Sequence, residues 1–115
     1  MSYMLLIVEP PGQRQERGRE AGEAVYDRML EYSRSLKERG VLLGTNSLKS
    51  GGARLTVRGG KSTVVDGPFT EAKELVGGYF LLNVKTREEA LAFALECPAA
   101  QWATVEVREL GPCYE

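Results

Sequence analysis

Two stretches of this chain, YMLLIV (Tyr3–Val8) and GGYFLLNV (Gly77–Val84), are apolar at nearly every position, Asn83 apart. The first is ended by Pro10-Pro11-Gly12, and runs of this length and composition read as strands. A strand covered on one face alternates apolar and polar side chains. These do not, so both faces of the sheet they form must be dry.

The rest of the chain supplies cover for one face only. Val25, Met29, Tyr32 and Leu36 recur at helical spacing and predict an amphipathic helix from about Glu20 to Arg39, stopped by Gly40. In TREEALAFALEC, Thr86 and Glu89 form a capping box that opens a second helix, closed by Pro98. VLLGTNSL (Val41–Leu48) is a strand bent or bulged at Gly44, and ATVEVREL (Ala103–Leu110) is the last strand. LTVRGGKSTVVD is a hairpin, because both central positions of a type I′ turn want positive φ and Gly59-Gly60 supply it.

The order is βαβ, inserted hairpin, βαβ. Right-handed crossovers then give an α+β, ferredoxin-like subunit with both helices on one face of an antiparallel sheet. No third helix remains for the other face, so a second copy is expected there: a homodimer formed sheet to sheet.

A chain of 115 residues with ordinary apolar content is expected to form one domain, residues 1–115, with a core of its own. Fifteen basic and sixteen acidic residues leave a net charge of −1, which attracts neither nucleic acid nor an anionic membrane. Tyr79 and Phe80 are adjacent, not alternating as a base-stacking sheet requires, which also argues against an RNA partner. Arg14, Arg17 and Arg19, interleaved with Glu16 and Glu20, read as a solvated face. No signal-like segment is evident, and Cys97 and Cys113 lack metal-ligand spacing, so a cytoplasmic protein with free thiols is expected. There is no histidine, which removes imidazole bases and the catalytic triads built on them.

The residues between the hairpin and the second apolar strand carry the chemistry. DGPFTEAKE followed by GGYF, together with EEALAFALECPAA and VEVREL, resembles the YCII-related family and in particular its DGPF branch. The resemblance runs nearly end to end. It implies a dimeric α+β barrel of ferredoxin-like subunits, in agreement with the dimer argued from strand apolarity. It also implies a setting near extracytoplasmic-function sigma factors, hence a sigma-factor partner and a non-catalytic accessory role as one reading. Relatives in the wider superfamily include small enzymes acting on lactones and chlorinated aromatic breakdown products. A His-Asp pair used by some of them has no counterpart here.

Two readings stand for each motif residue. Gly67, Pro68 and Phe69 are the residue types of a tight turn, with the Gly67–Pro68 bond expected trans. Asp66, at the end of an apolar strand, is either an Asx-turn residue or a part-buried general acid or base with a raised pKa. With Thr70 as N-cap, Glu71, Lys73 and Glu74 form one helical turn, either solvated or a charged cleft rim where Lys73 holds an anion. Gly77 and Gly78 complete the motif structurally. Glu106 and Arg108 share one face of the last strand, as an ion pair or, meeting Asp66 or Lys73, as an anion clamp. Tyr3, Tyr79, Phe80, Phe93 and Trp102 read as core and interface. The function expected is binding or transformation of a small acidic or lactone-like molecule in a cleft at the DGPF turn. No cofactor is implied, and without a calcium-loop pattern no metal is expected.

Overall fold

A computed structural model describes residues 2–69 and 71–115. The elements are β1 (Tyr3–Glu9), α1 (Gln13–Arg17), α2 (Arg19–Glu38), β2 (Leu42–Ser47), β3 (Ala53–Arg58), β4 (Lys61–Asp66), β5 (Leu75–Leu82), α3 (Arg87–Glu96), a 3-10 turn (Pro98–Gln101) and β6 (Thr104–Glu109). Four strands form an antiparallel sheet in the order β2-β5-β1-β6, and β3 and β4 pair separately. This is the ferredoxin-like order with a hairpin inserted between its second and third strands, as the sequence predicts.

Local chemistry accounts for the boundaries. Gly59 and Gly60 take φ of 56° and 78°, the conformation a two-residue hairpin turn demands. The Thr86 hydroxyl caps α3 by accepting from the Glu89 N–H at 3.1 Å. The pairing of β2 with β5 slips between Leu42 and Gly44, so of the bend or bulge expected at Gly44 the structure has the bulge. The segment before α2, left without a regular element by the sequence pattern, is a separate helical turn, α1, split off at Gly18.

The core lies between the helices and one face of the sheet. Leu5, Leu36, Leu82, Val84 and Cys97 are fully buried there. Tyr32 packs edge-on against Phe80 at 5.1 Å and donates its hydroxyl proton to the Phe93 carbonyl at 2.6 Å. On the other sheet face Met4, Leu6, Tyr79 and Leu81 stay half-buried, with Val76 exposed beside them. Nothing among the described residues covers that face. The molecule is 19 Å thick in its shortest dimension, the depth of two layers.

Three expectations fail at the motif. Asp66 is exposed, because the hairpin stands clear of the sheet and every one of its positions faces solvent. The Gly67–Pro68 peptide bond is cis. Residues 71–74 form no helical turn: a turn bond from the Ala72 N–H to the Phe69 carbonyl is followed by a bend at Lys73 before the chain enters β5 at Leu75. The capping role expected of Thr70 lies outside the described residues.

Candidate functional site

The DGPF turn is held by packing. Phe69 is buried, and the Arg54 guanidinium from β3 lies over its ring at 3.9 Å. Glu71 pairs with the same guanidinium at 3.6 Å. A Cβ on Gly67 would stand 3.0 to 3.2 Å from the Phe69 ring, so a larger residue there would make the ring shift. The Gly67 N–H donates to the Gly52 carbonyl at 2.7 Å and closes the root of the hairpin. Asp66 takes no part in these contacts.

The remaining charged residues of the motif go elsewhere. Lys73 and Glu74 line an open cavity of about 380 Å³ together with Glu9, Trp102 and Thr104. Glu106 and Arg108 pair with each other at 3.2 Å, the ion pair expected of neighbours two apart on a strand. They lie on the uncovered sheet face, where Leu6 stands beside Glu106 and Met4 beside Arg108. No ion pair joins either to Asp66 or Lys73 among the described residues.

A different site emerges at the other end of the motif. Glu9 ends β1 with 7% of its surface exposed, and its carboxylate meets the Arg14 guanidinium at 2.7 Å. Arg14 also donates to the Leu48 carbonyl at 2.6 Å and to the Gly77 carbonyl at 3.2 Å. One side chain of α1 thereby ties together the ends of β1, β2 and β5. Gln13, its neighbour, donates to the Trp102 carbonyl at 2.6 Å and fixes α1 to the segment before β6.

The glycines of VGGYF make room for this junction. A Cβ on Gly77 would lie 2.8 Å from the Arg14 guanidinium and 2.9 Å from the Glu9 carboxylate, while one on Gly78 would meet the Asn46 carbonyl at 3.0 Å. The β1–β5 register slips at the same point, with Ile7 opposite Gly78 and Val8 opposite Val76.

Above the junction, between the first half of α2 and the sheet, is a cavity of about 670 Å³. Ile7 and Phe80 form its apolar floor, Val25 and Met29 come down from α2, and Trp102 closes one end. Glu9, Arg14, Arg17 and Arg19 also line it. Glu9 is the one carboxylate among the described lining residues, so the end of the cavity is net positive. Arg17 and Arg28 both approach the Trp102 ring, at 5.9 and 5.1 Å. Glu9 and Trp102 line the smaller cavity too, and so form a common wall.

The sequence pattern had made Arg14 and Arg17 part of a solvated face. Their alternation with Glu16 and Glu20 conceals that α1 turns two of its arginines inward. The usable signal was indirect: an acid closing an apolar strand, and a glycine pair where one glycine would serve a turn.

Two thiols and a phenol lie apart from this site. Cys97 is buried and Cys113 exposed, both free. Burial pushes the Cys97 thiol up, against the backbone N–H groups of Ala99 and Ala100, which lower it. Burial likewise raises the Tyr32 phenol, with the sulfur of Cys97 and the carboxylate of Glu96 acting in the same direction.

A four-stranded antiparallel sheet backed by two helices, with a half-open cavity charged at one end, defines a small ferredoxin-like α+β protein. The YCII-related domain matches residues 1–113, and the chain belongs to the YCII-related family. It is 32% identical over 115 residues to an uncharacterised protein of Rhizobium meliloti (strain 1021), covering 96% of this chain and 93% of that one. Among solved structures it is similar to 5-chloro-2-hydroxyhydroquinone dehydrochlorinase from Burkholderia phenoliruptrix AC1100, in complex with 2,5-dihydroxybenzoquinone. That likeness has a TM-score of 0.54 and 18% identity over 96% of this chain and 94% of the other, and it is a likeness of fold.

Proposed function

We propose that this protein binds, and transforms, a small flat acidic or lactone-like molecule in the cavity between α2 and the sheet. The observation that carries the reading is the cavity itself: about 670 Å³, with an apolar floor of Ile7 and Phe80, and with Arg14, Arg17 and an ion-paired Glu9 at one end. Ligand sites combine these features: an apolar body that takes up a ring and a few polar groups that orient it. Arg17 would take the anionic oxygen, and Trp102 the ring face. Glu9, held in place by Arg14, would accept a proton from a ligand hydroxyl. The sequence had suggested Asp66 for that role. Lys73 and Glu74, across the wall formed by Glu9 and Trp102, would meet any part of the ligand that extends past it. A fold-related enzyme that takes a dihydroxybenzoquinone supports a ring-sized ligand.

This reading includes a homodimer through the uncovered sheet face and membership of the DGPF branch, whose motif the chain carries. Light scattering at micromolar concentration should report twice the chain mass.

Trp102 is the only tryptophan, so its fluorescence reports directly on the site. The test is a titration with benzoate, salicylate, 2,5-dihydroxybenzoquinone and simple lactones, read by Trp102 fluorescence and by thermal shift. A ligand at a hundred times its Kd should add roughly 2.7 kcal/mol of stability. Arg17→Ala should abolish the response and Asp66→Asn should keep it. The reverse pattern would move the site to the DGPF turn. No response from any compound would sink the ligand reading and favour the accessory role, for which co-purification with a sigma factor is the test.

A further inference from the structure

We infer that the β3–β4 hairpin is a dimerisation arm whose apolar face packs against a second copy of this chain. The inference rests on the homodimer proposed above and adds to it a second contact.

The pattern of the hairpin is that of strands with one buried face. Along β3, Ala53, Leu55 and Val57 alternate with Arg54, Thr56 and Arg58. The register sets Val64 opposite Leu55, and Thr63 and Lys61 opposite Thr56 and Arg58. One face therefore carries Leu55, Val57 and Val64, with Ala53, Ser62 and Asp66 at its ends, and the other is basic and hydroxylic apart from Val65 beside Arg54. Leu55 is nonetheless 65% exposed, Val57 53% and Val64 59%. A two-stranded hairpin with an uncovered apolar face is marginal in water.

The chain's own body lies on the wrong side to provide the cover. Arg54 belongs to the polar face, and it is Arg54 that reaches back to Phe69 and Glu71. The root is thus anchored through the polar face, which turns Leu55, Val57 and Val64 away. The hairpin extends beside the sheet, not over it. The molecule measures 47 × 41 × 19 Å, with a radius of gyration of 16.0 Å. About 13 Å is usual for a chain near this length.

A second copy fits the area required. Four strands of six to eight residues present a face of roughly 400 Å² in plan. That is about half of the ~800 Å² per partner that a stable interface buries. The arm's face adds roughly 200 Å², and the surface that the other copy's arm covers adds as much again. With the arms engaged, the interface reaches the ordinary size. The uncovered sheet face and the uncovered arm are two halves of one demand, and a two-fold dimer answers both.

The hairpin can be removed cleanly, because Gly52 and Gly67 are already joined by a backbone hydrogen bond at 2.7 Å. Sedimentation equilibrium over a concentration series should compare the full chain, the chain with residues 53–66 excised, and the full chain carrying Leu55→Lys and Val64→Lys. Both altered chains should keep their helical circular dichroism and raise the dimer Kd by roughly a hundredfold or more. A full chain that is monomeric throughout would overturn the dimer and the arm together. A full chain that dimerises, with an unchanged Kd in the double-lysine variant, would overturn the arm alone. Should the excised chain fail to fold, the double-lysine variant decides.

Discussion

The DGPF turn and the Gly77-Gly78 junction are two ends of one motif with opposite physical character. At the first end the geometry serves packing: Gly67 clears the Phe69 ring, Phe69 sits under Arg54, and the only carboxylate of the turn, Asp66, stays exposed. At the second end the glycines clear space for charge: Gly77 lies under the Glu9–Arg14 pair at the end of a large cavity. The acids and lysine written into the motif are mostly surface groups, and the buried carboxylate lies outside it. The comparison teaches that a motif records where the backbone has no freedom. Which side chains share the resulting space is a separate matter.

Substitutions can break or sharpen that contrast. The largest effect is expected from Arg14→Leu, which leaves the Glu9 carboxylate buried without its partner and should cost about 3–5 kcal/mol in urea unfolding. A loss no greater than that of an ordinary surface change would mean that the junction is not a charged keystone. Gly77→Ala and Gly78→Ala should each cost about 1–3 kcal/mol, since one drives a methyl into the ion pair and the other into backbone. Gly67→Ala meets a ring that can tilt and should cost about 1 kcal/mol, the low end of overpacking. If it exceeds the Gly77 variant, the turn and not the junction is the tighter end.

A third comparison uses pH. Folded-state values raised above 9.0 for Cys97 and 10.0 for Tyr32 mean that the native state holds these protons more tightly than the unfolded chain. Their contribution is complete below pH 9 and is lost as pH rises through and beyond those ordinary values toward the raised ones. Guanidinium unfolding midpoints should therefore fall as pH rises from about 9 to about 11. Tyr32→Phe should forfeit its hydrogen bond to Phe93, about 1 kcal/mol at neutral pH, and flatten that decline. An unchanged slope would assign the alkaline loss elsewhere. The smallest effect is expected at Asp66→Asn, within about 0.5 kcal/mol as for other exposed positions. A larger one in the same urea series would restore Asp66 to structural weight.

Much of the fold was legible because it is written in local periods. The stripe Val25, Met29, Tyr32, Leu36 marks α2, the Thr86 cap opens α3, and Gly59-Gly60 turns the hairpin, each within a few residues of chain. The two unalternating strands also pointed to a second dry face, and that face is left uncovered here, with Met4, Leu6, Tyr79 and Leu81 on it. The site was less legible. Glu9 and Arg14 are close in sequence but separated by a Pro-Pro-Gly turn, and Arg14 sits in a run whose alternating signs look solvated. The helical turn expected over Glu71, Lys73 and Glu74 gives way to a turn at Glu71 and a bend at Lys73, sending Glu71 to Arg54 and the other two to the smaller cavity.

By itself the sequence determined the order of the elements, the ferredoxin-like topology and the apolar stripe of α2, because each follows from spacing along the chain. Only the tertiary structure decided which of many similar charges becomes buried, since that depends on the β5 bulge at Gly77 meeting α1 across the end of β1. A charge is interchangeable along a sequence. Once desolvated, it is held by the particular partner that long-range docking brings to it.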